Sequence, residues 1–269
     1  MISSTKSTRV KNIAALTQKA RERRRQKLFI VEGPRMFEEL PGDILRETYV
    51  AEGYLAQHGE DAERLLKGIS YEIVTDDVMR AMSDTMNPQG ILAVAAQREW
   101  KIEEVLAPYR DGKPALLVVL ETLQDPGNLG TILRMGEGAG VTGILMNEET
   151  ADLYNPKVIR STMGSIYRMP VLRTDSLEEC VVLAKKAGIR MYAAHLRGEN
   201  SYDREDFAGP SAFMIGNEAA GLSDRLAGLA DCLVRIPMEG RVESLNAAVA
   251  ASVLAFEAAR QRRVMKEEK

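Results

Sequence analysis

Three short segments of this 269-residue chain gather side chains able to do chemistry. Residues 120–134 place Asn128, Gly130 and Arg134 after an apolar run and a Pro126-Gly127 turn. Residues 213–223 run from an apolar stretch into Gly216, Asn217 and Glu218. Residues 236–249 open on Ile236, Pro237 and Met238 and reach Ser244, Leu245 and Asn246 where a long Ala-rich stretch begins. Amides, a hydroxyl, a carboxylate and a guanidinium orient partners, donate and accept hydrogen bonds, and carry charge. Taken singly, each segment also has an ordinary structural account. Asn128 would cap a helix that carries a solvated Arg134, and Ser244 or Asn246 would cap the last helix. Asn128 and Arg134 lie six residues apart and need not share a face, although a loop at the helix start could fold Asn128 back toward the arginine.

Other chemistries are disfavoured. Two cysteines, Cys180 and Cys232, are too few for a disulfide framework or a four-thiolate zinc site. His58 and His195 are far apart and form no ligand motif, so no metal is expected. There is no P-loop, no G-x-S-x-G elbow and no H-E-x-x-H. Gly136, Gly138 and Gly140 mimic a dinucleotide loop, but they follow a helical stretch and read as a helix end. The longest apolar stretch, 247–256, is about half a membrane span, and the first ten residues hold no signal-peptide core, so a cytoplasmic protein is expected.

These segments need elements to position them, and the chain alternates apolar runs with helical stretches throughout. Strands are expected at 28–31, 48–50, 71–74 and 90–95, with helices at 10–27, 34–40, 61–67 and 76–83. After a short helix at 101–108 and a turn-rich boundary at 109–114, the alternation resumes. Strands are expected there at 115–120, 143–146, 169–172, 190–194, 212–215 and 232–236. The matching helices are 128–138, 156–161, 177–187, 220–228 and 244–263. Continuous apolar runs such as 115–120 belong in the middle of a parallel sheet, and ligands bind beyond the carboxyl ends of such strands. Two domains follow, 1–108 and 109–269.

Charge sharpens the division. Overall, 36 Lys and Arg face 39 Asp and Glu, a net −3 that argues against a purely cationic nucleic-acid coat. Yet the first 35 residues hold ten basic side chains and only Glu22 and Glu32, a local +8 that leaves −11 on the remainder. Lys11, Arg21, Arg23, Arg24, Arg25, Lys27 and Arg35 form either a solvated helix face or a surface for a nucleic-acid backbone.

Together, the three segments resemble the signature motifs of the SpoU-type (TrmH-like) RNA 2′-O-ribose methyltransferases of the SPOUT superfamily. The first matches through Asn128, Gly130 and Arg134, the second through Gly216, Asn217 and Glu218, and the third through Ile236, Pro237, Met238, Ser244, Leu245 and Asn246. Order and spacing agree over about 115–263. The N-terminal part, with Val31-Glu32-Gly33 at a strand end, resembles the family's substrate-binding domain of ribosomal-protein-like α/β fold.

The resemblance implies an α/β fold whose C-terminal parallel sheet is threaded into a deep trefoil knot, plus the smaller N-terminal domain. It implies S-adenosylmethionine held by loops after Ala194, with His195 beside it, at Gly216, Asn217 and Glu218, and at Ile236, Met238, Ser244 and Leu245. The implied reaction is methyl transfer to a ribose 2′-hydroxyl, with large-subunit (23S) ribosomal RNA favoured and transfer RNA, or a non-catalytic ribosome-assembly role, as alternatives. Catalytic roles fall to Arg134, as phosphate clamp and hydroxyl orienter or as base, and to Asn128 and Glu218, which would hold it. Ser244 and Asn246 would organise the third loop. A homodimer is implied, with residues of both chains near each site.

Overall fold

The computed structural model describes residues 1–108 and 112–267. By internal contacts the chain divides into two units, Met1–Arg98 with Asp152–Tyr167, and Glu99–Ala151 with Arg168–Lys269. Of the turn-rich boundary expected at 109–114, residues 109–111 lie outside the described ones. The division itself falls near residue 98, and the first unit also takes in 152–167. A boundary read from turn residues cannot anticipate a later segment that returns to pack on the first unit.

The first unit holds α1 (Thr8–Gln18), α2 (Ala20–Gln26), β1 (Leu28–Glu32), α3 (Pro34–Glu38), β2 (Leu45–Ala51), α4 (Glu52–Leu65), β3 (Glu72–Val74), α5 (Asp76–Met82) and β4 (Ile91–Ala96). The returning segment adds α8 (Pro156–Thr162). The sheet order is β1-β4-β2-β3, with β4 antiparallel to β1 and β2, and β3 parallel to β2. Val10, Ile13 and Leu16 recur at helical spacing on α1 and pack with Met79 and Met82 of α5 over Ile30, Tyr49 and Leu92.

The single basic helix expected at 10–27 is two helices. The chain is extended at Lys19 (φ −120°, ψ 113°), which strands the last carbonyls of α1 without intrahelical donors. Arg23, only 2% exposed, supplies them. Its Nη1 donates to the carbonyls of Leu16 and Thr17 at 2.7 and 2.8 Å, while Nε and Nη2 donate to the Asp152 carboxylate at 2.8 and 2.6 Å. Arg23 thus leaves the list of candidate RNA contacts. Lys11, Arg21, Arg24, Arg25, Lys27 and Arg35 stay exposed, with Arg25 paired to Glu22 at 2.6 Å.

The second unit holds α6 (Ile102–Leu106), β5 (Leu116–Leu120), α7 (Pro126–Ala139), β6 (Gly143–Asn147), β7 (Val171–Thr174), α9 (Leu177–Lys186), β8 (Arg190–Ala194), β9 (Asn200–Ser201), β10 (Ser211–Ile215), α10 (Asp224–Ala227), β11 (Cys232–Arg235) and α11 (Ala247–Glu267). Its sheet order is β7-β6-β5-β10-β8-β11-β9, and every pairing is parallel. The five residues of β5 and of β10 are all buried, which explains their unbroken apolar runs.

The C-terminal part of α11 is tied down by two side chains that carry no sequence signal. Arg262 donates to the carbonyls of Pro114, Ala115, Phe207 and Gly209 at 2.7–3.2 Å. Burial without a carboxylate partner pushes its pKa down to about 10, still charged at neutral pH. Gln261 accepts from Phe207 N–H at 2.7 Å and donates to the Glu205 carbonyl at 2.9 Å.

Arg23→Ala would leave a mostly buried carboxylate and two helix-end carbonyls unpaired. It should cost the first unit about 3 kcal/mol, read as a lowered urea midpoint. Arg24→Ala, at an exposed position of the same helix, should leave that midpoint unchanged.

Candidate active site

The parallel register brings the loops together. Ile215 pairs with Leu120, Met214 with Ala193, and Val234 with Ala194. The carboxyl ends of β5, β10, β8 and β11 therefore lie level, and the segments that follow open on one edge of the sheet.

After β10 the chain turns sharply. A Cβ on Gly216 would lie 2.1 Å from the Gly221 carbonyl carbon and 2.2 Å from Leu222 N, so only glycine fits this close approach. Asn217 and Gly221 exchange backbone hydrogen bonds at 3.0 and 2.9 Å. The Asn217 side-chain oxygen accepts from the Ala219 and Ala220 N–H groups at 2.9 and 3.0 Å. This turn replaces the first half of the helix expected at 220–228, which is confined to α10.

After β5, Thr122 adopts a left-handed conformation (φ 56°), uncommon for a β-branched residue. Every polar group it has is engaged. Its N–H donates to Asn147 Oδ1 at 2.8 Å, its hydroxyl accepts from Asn147 Nδ2 at 2.8 Å, and its carbonyl accepts from Asn217 Nδ2 at 2.9 Å. Glu121 accepts from the N–H and hydroxyl of Ser223, both at 2.7 Å, and Ser223 caps α10.

A polar chain joins the three segments. The Asn246 side-chain oxygen caps α11 by accepting from Ala248 N–H at 2.9 Å and Val249 N–H at 3.3 Å. This directs its Nδ2 to Asn128 Oδ1 at 2.9 Å. With that oxygen accepting, Asn128 Nδ2 donates to Glu218 Oε1 at 2.9 Å. Glu218 also accepts from the N–H groups of Gln124 and Asp125, both at 3.0 Å. Burial pushes its carboxyl up, but the bonds from Gln124, Asn128 and Asp125 together outweigh it and hold the pKa below the ordinary carboxylate value.

Two expectations change here. Asp125, not Asn128, caps α7, by accepting from Asn128 N–H at 2.8 Å. Nor do Asn128 and Glu218 hold Arg134. Six residues along a regular helix turn about 240° away, and the bonds of Asn128 and Glu218 run to each other, to Asn246 and to the loop after β5. The Arg134 side chain is exposed and makes no hydrogen bond or ion pair among the described residues.

The segments enclose a cleft of about 990 Å3. Ala194, His195, Gly216, Asn217, Glu218, Ile236, Met238, Ser244 and Leu245 all line it, as does Asn246; Asn128 and Arg134 do not. His195 accepts at Nδ1 from Arg197 N–H at 3.0 Å. Glu121, Thr122 and Asn147 escaped the sequence reading, although a polar residue ending an apolar strand was an available sign for Glu121 and Asn147. Gly140 is the C-cap of α7, as expected of that glycine cluster.

Comparison with known proteins gives two family matches: the SpoU rRNA Methylase family over residues 115–256 and the MRM3-like substrate binding domain over 7–93. The 23S rRNA (guanosine(2553)-2′-O)-methyltransferase RlmP of Bacillus subtilis is 33% identical, over 95% of this chain and 97% of its own. The 23S rRNA (guanosine-2′-O-)-methyltransferase RlmB of Xanthomonas axonopodis pv. citri is 34% identical, over 83% of this chain and 92% of its own. The SpoU methyltransferase AviRb from Streptomyces viridochromogenes, solved with the cofactor AdoMet, superposes with a TM-score of 0.84 at 28% identity, covering 96% of this chain and 99% of its own.

The polar chain has a pH signature. The Glu218 pKa in the folded protein lies below its ordinary 4.5. The stability it contributes is fully present above that value and is lost as pH falls through the lower folded one. Glu218→Gln should lower stability at neutral pH by about 1 kcal/mol or less, given its exposure, and the gap from the parent should close in acid. Asn246→Ala removes a helix cap and should cost about 1 kcal/mol at both pH values. Urea titrations at neutral and acid pH separate the two.

Proposed function

The chain belongs to the SpoU rRNA methylase family, and on that premise we propose that it transfers a methyl group from S-adenosylmethionine to a ribose 2′-hydroxyl of large-subunit ribosomal RNA. The observation that carries this reading is the Asn246–Asn128–Glu218 chain, which fastens the three motif segments together at one cleft. The RNA class rests on relatives that act on 23S rRNA.

The cleft suits the cofactor. Its volume falls within the roughly 300–1,000 Å3 of small-molecule sites. Ala194, Ile236, Met238 and Leu245 offer apolar walls to an adenine ring. Between Arg235 and Ala247 the chain is irregular, and its main-chain groups take part in no strand pairing. Gly216, Asn217 and Glu218 form the tight turn on the facing side. Bound there between the Gly216–Glu218 turn and the 236–245 segment, S-adenosylmethionine would supply an electrophilic sulfonium methyl for the ribose 2′-oxygen.

The remaining roles belong to this chain. Glu218 and Asn128 keep the loop after β5 in place, and Asn246 sets the start of α11 against it. Arg134 presents an unpaired guanidinium to the substrate. A group with a pKa above about 12 is a poor base, so Arg134 clamps the phosphate beside the target ribose and orients the hydroxyl.

Arg134 does not line the cleft of its own chain, which supports a homodimer in which each copy lends this arginine to the other. Val249 and Phe256 of α11 are 47% and 46% exposed, and Phe256 lies 3.8 Å from where a Gly138 Cβ would be, on the helix that carries Arg134. These residues give the two copies an apolar face. The exposed Lys11, Arg21, Arg24, Arg25, Lys27 and Arg35 hold the RNA backbone. Among the described residues no helix is long and apolar enough to cross a membrane, and an rRNA substrate supports a cytoplasmic enzyme.

Arg134→Ala should cut methyl transfer to 23S rRNA by about 100-fold or more while cofactor affinity, read by calorimetry, is unchanged. Mixing it with a Gly216→Val protein, whose cleft is blocked, should restore activity if the arginine acts across the dimer. Full activity of Arg134→Ala alone would falsify its role. Binding of rRNA should weaken steeply as salt rises, with a shallower slope in Arg21→Ala/Arg24→Ala, and cofactor binding should barely respond.

A further inference from the structure

The first unit has a cleft of its own, about 460 Å3 in volume, that the methyl-transfer reading does not use. The start of α4, the exposed side of α5 and the loop before β4 bound it. Its most distinctive feature is a ring pair. Tyr54 and His58, one turn apart on α4, stack with centroids 4.3 Å apart and planes inclined by 33°. Regular helix ends immediately after them, at Gly59 (φ 40°, ψ −113°).

The pair is held from one side and open on the other. Tyr54 is half-buried and lies so close to Gly90 (φ 83°) that a Cβ there would sit 2.5 Å from the Tyr54 Cβ. His58 is exposed. Around the rings stand the amides of Gln57 and Gln89 and the carboxylate of Asp76, a set able to meet both donors and acceptors. Arg80, paired with Asp77, lines the cleft, and the exposed Arg35 follows Pro34 at its edge.

The loop before β4 is anchored, and its tip is apolar. Glu32, 8% exposed, accepts from the Ser83 hydroxyl at 2.6 Å and the Asp84 N–H at 3.4 Å, and from the Thr85 hydroxyl. The next residue, Met86, is 93% exposed. Stacked rings in a cleft edged by amides and an arginine, below a secured loop that contributes Pro88, Gln89 and Gly90, suit a flat ring with a polar rim and a phosphate nearby.

We propose that this cleft takes one unpaired nucleobase of the RNA substrate onto the Tyr54–His58 ring pair. The inference rests on the reading of the chain as an RNA-modifying enzyme and adds a contact separate from both the methyl-transfer cleft and the basic helices.

The probes are a short single-stranded RNA carrying 5-iodouridine and the blunt duplex of the same sequence, both without cofactor. His58→Ala, at an exposed position, should melt like the parent. It should bind the single strand about tenfold more weakly and the duplex equally well. His58→Phe, which keeps a ring but no imidazole, should restore single-strand affinity. Irradiation of the parent complex should crosslink the iodouracil to Tyr54 or His58. Undiminished single-strand binding by His58→Ala, equal weakening on the duplex, or no rescue by phenylalanine would each overturn the proposal and leave the rings a packing pair only. Because the binding assay needs neither cofactor nor methyl transfer, loss of the ring contact is distinguishable from failure of the enzymatic reading, which the parent protein's transfer assay reports separately.

Discussion

The second unit depends on one carboxylate on which three donors converge. Glu218 takes two backbone N–H groups from the segment after β5 and the amide of Asn128, and Asn128 in turn is set by Asn246. A carboxylate can only accept and an amide must do both, so the order of donors and acceptors along this chain is forced. The result is a fixed distance between three segments, the first of which lies 90 and 118 residues from its partners in the other two. Replacing any member leaves a polar group facing the wrong kind of partner, at a modest cost because these bonds are exposed to solvent.

That chain works because the sheet beneath it is level. Parallel pairing of β5, β10, β8 and β11 ends the strands together, and the buried apolar faces of β5 and β10 hold that register against slippage. Thr122, in an unusual backbone conformation, is tolerated because Asn147 and Asn217 satisfy its N–H, hydroxyl and carbonyl at once. At the far end of α11, Arg262 and Gln261 hold the helix to the 205–209 segment and to the start of β5. Both ends of α11 are thus fixed by side chain to main chain bonds.

The first unit uses the same device in another place. Arg23 neutralises Asp152 and caps the broken end of α1, which draws one arginine out of a run of basic residues and commits it to structure. Its neighbours Arg24 and Arg25 remain at the surface. Charge density along a sequence therefore overstates the surface charge available to a nucleic acid, because one well-placed carboxylate can bury a guanidinium that looks identical to those beside it.

Much of this was legible without coordinates. Apolar runs marked every strand of the second unit except the two-residue β9, and the motif residues at strand ends marked the cleft, because burial and turn chemistry act locally. What needed the tertiary structure was every relation between distant residues. That Asp125 rather than Asn128 caps α7, that Glu218 binds Asn128 rather than Arg134, and that 152–167 packs with the first unit all depend on which side chains meet in space. Periodicity reports which face of an element is buried, but hydrogen-bond partners are chosen by geometry across the fold. The sequence by itself determined the elements, the family and the chemical groups of the site; the tertiary structure alone decided how those groups are paired.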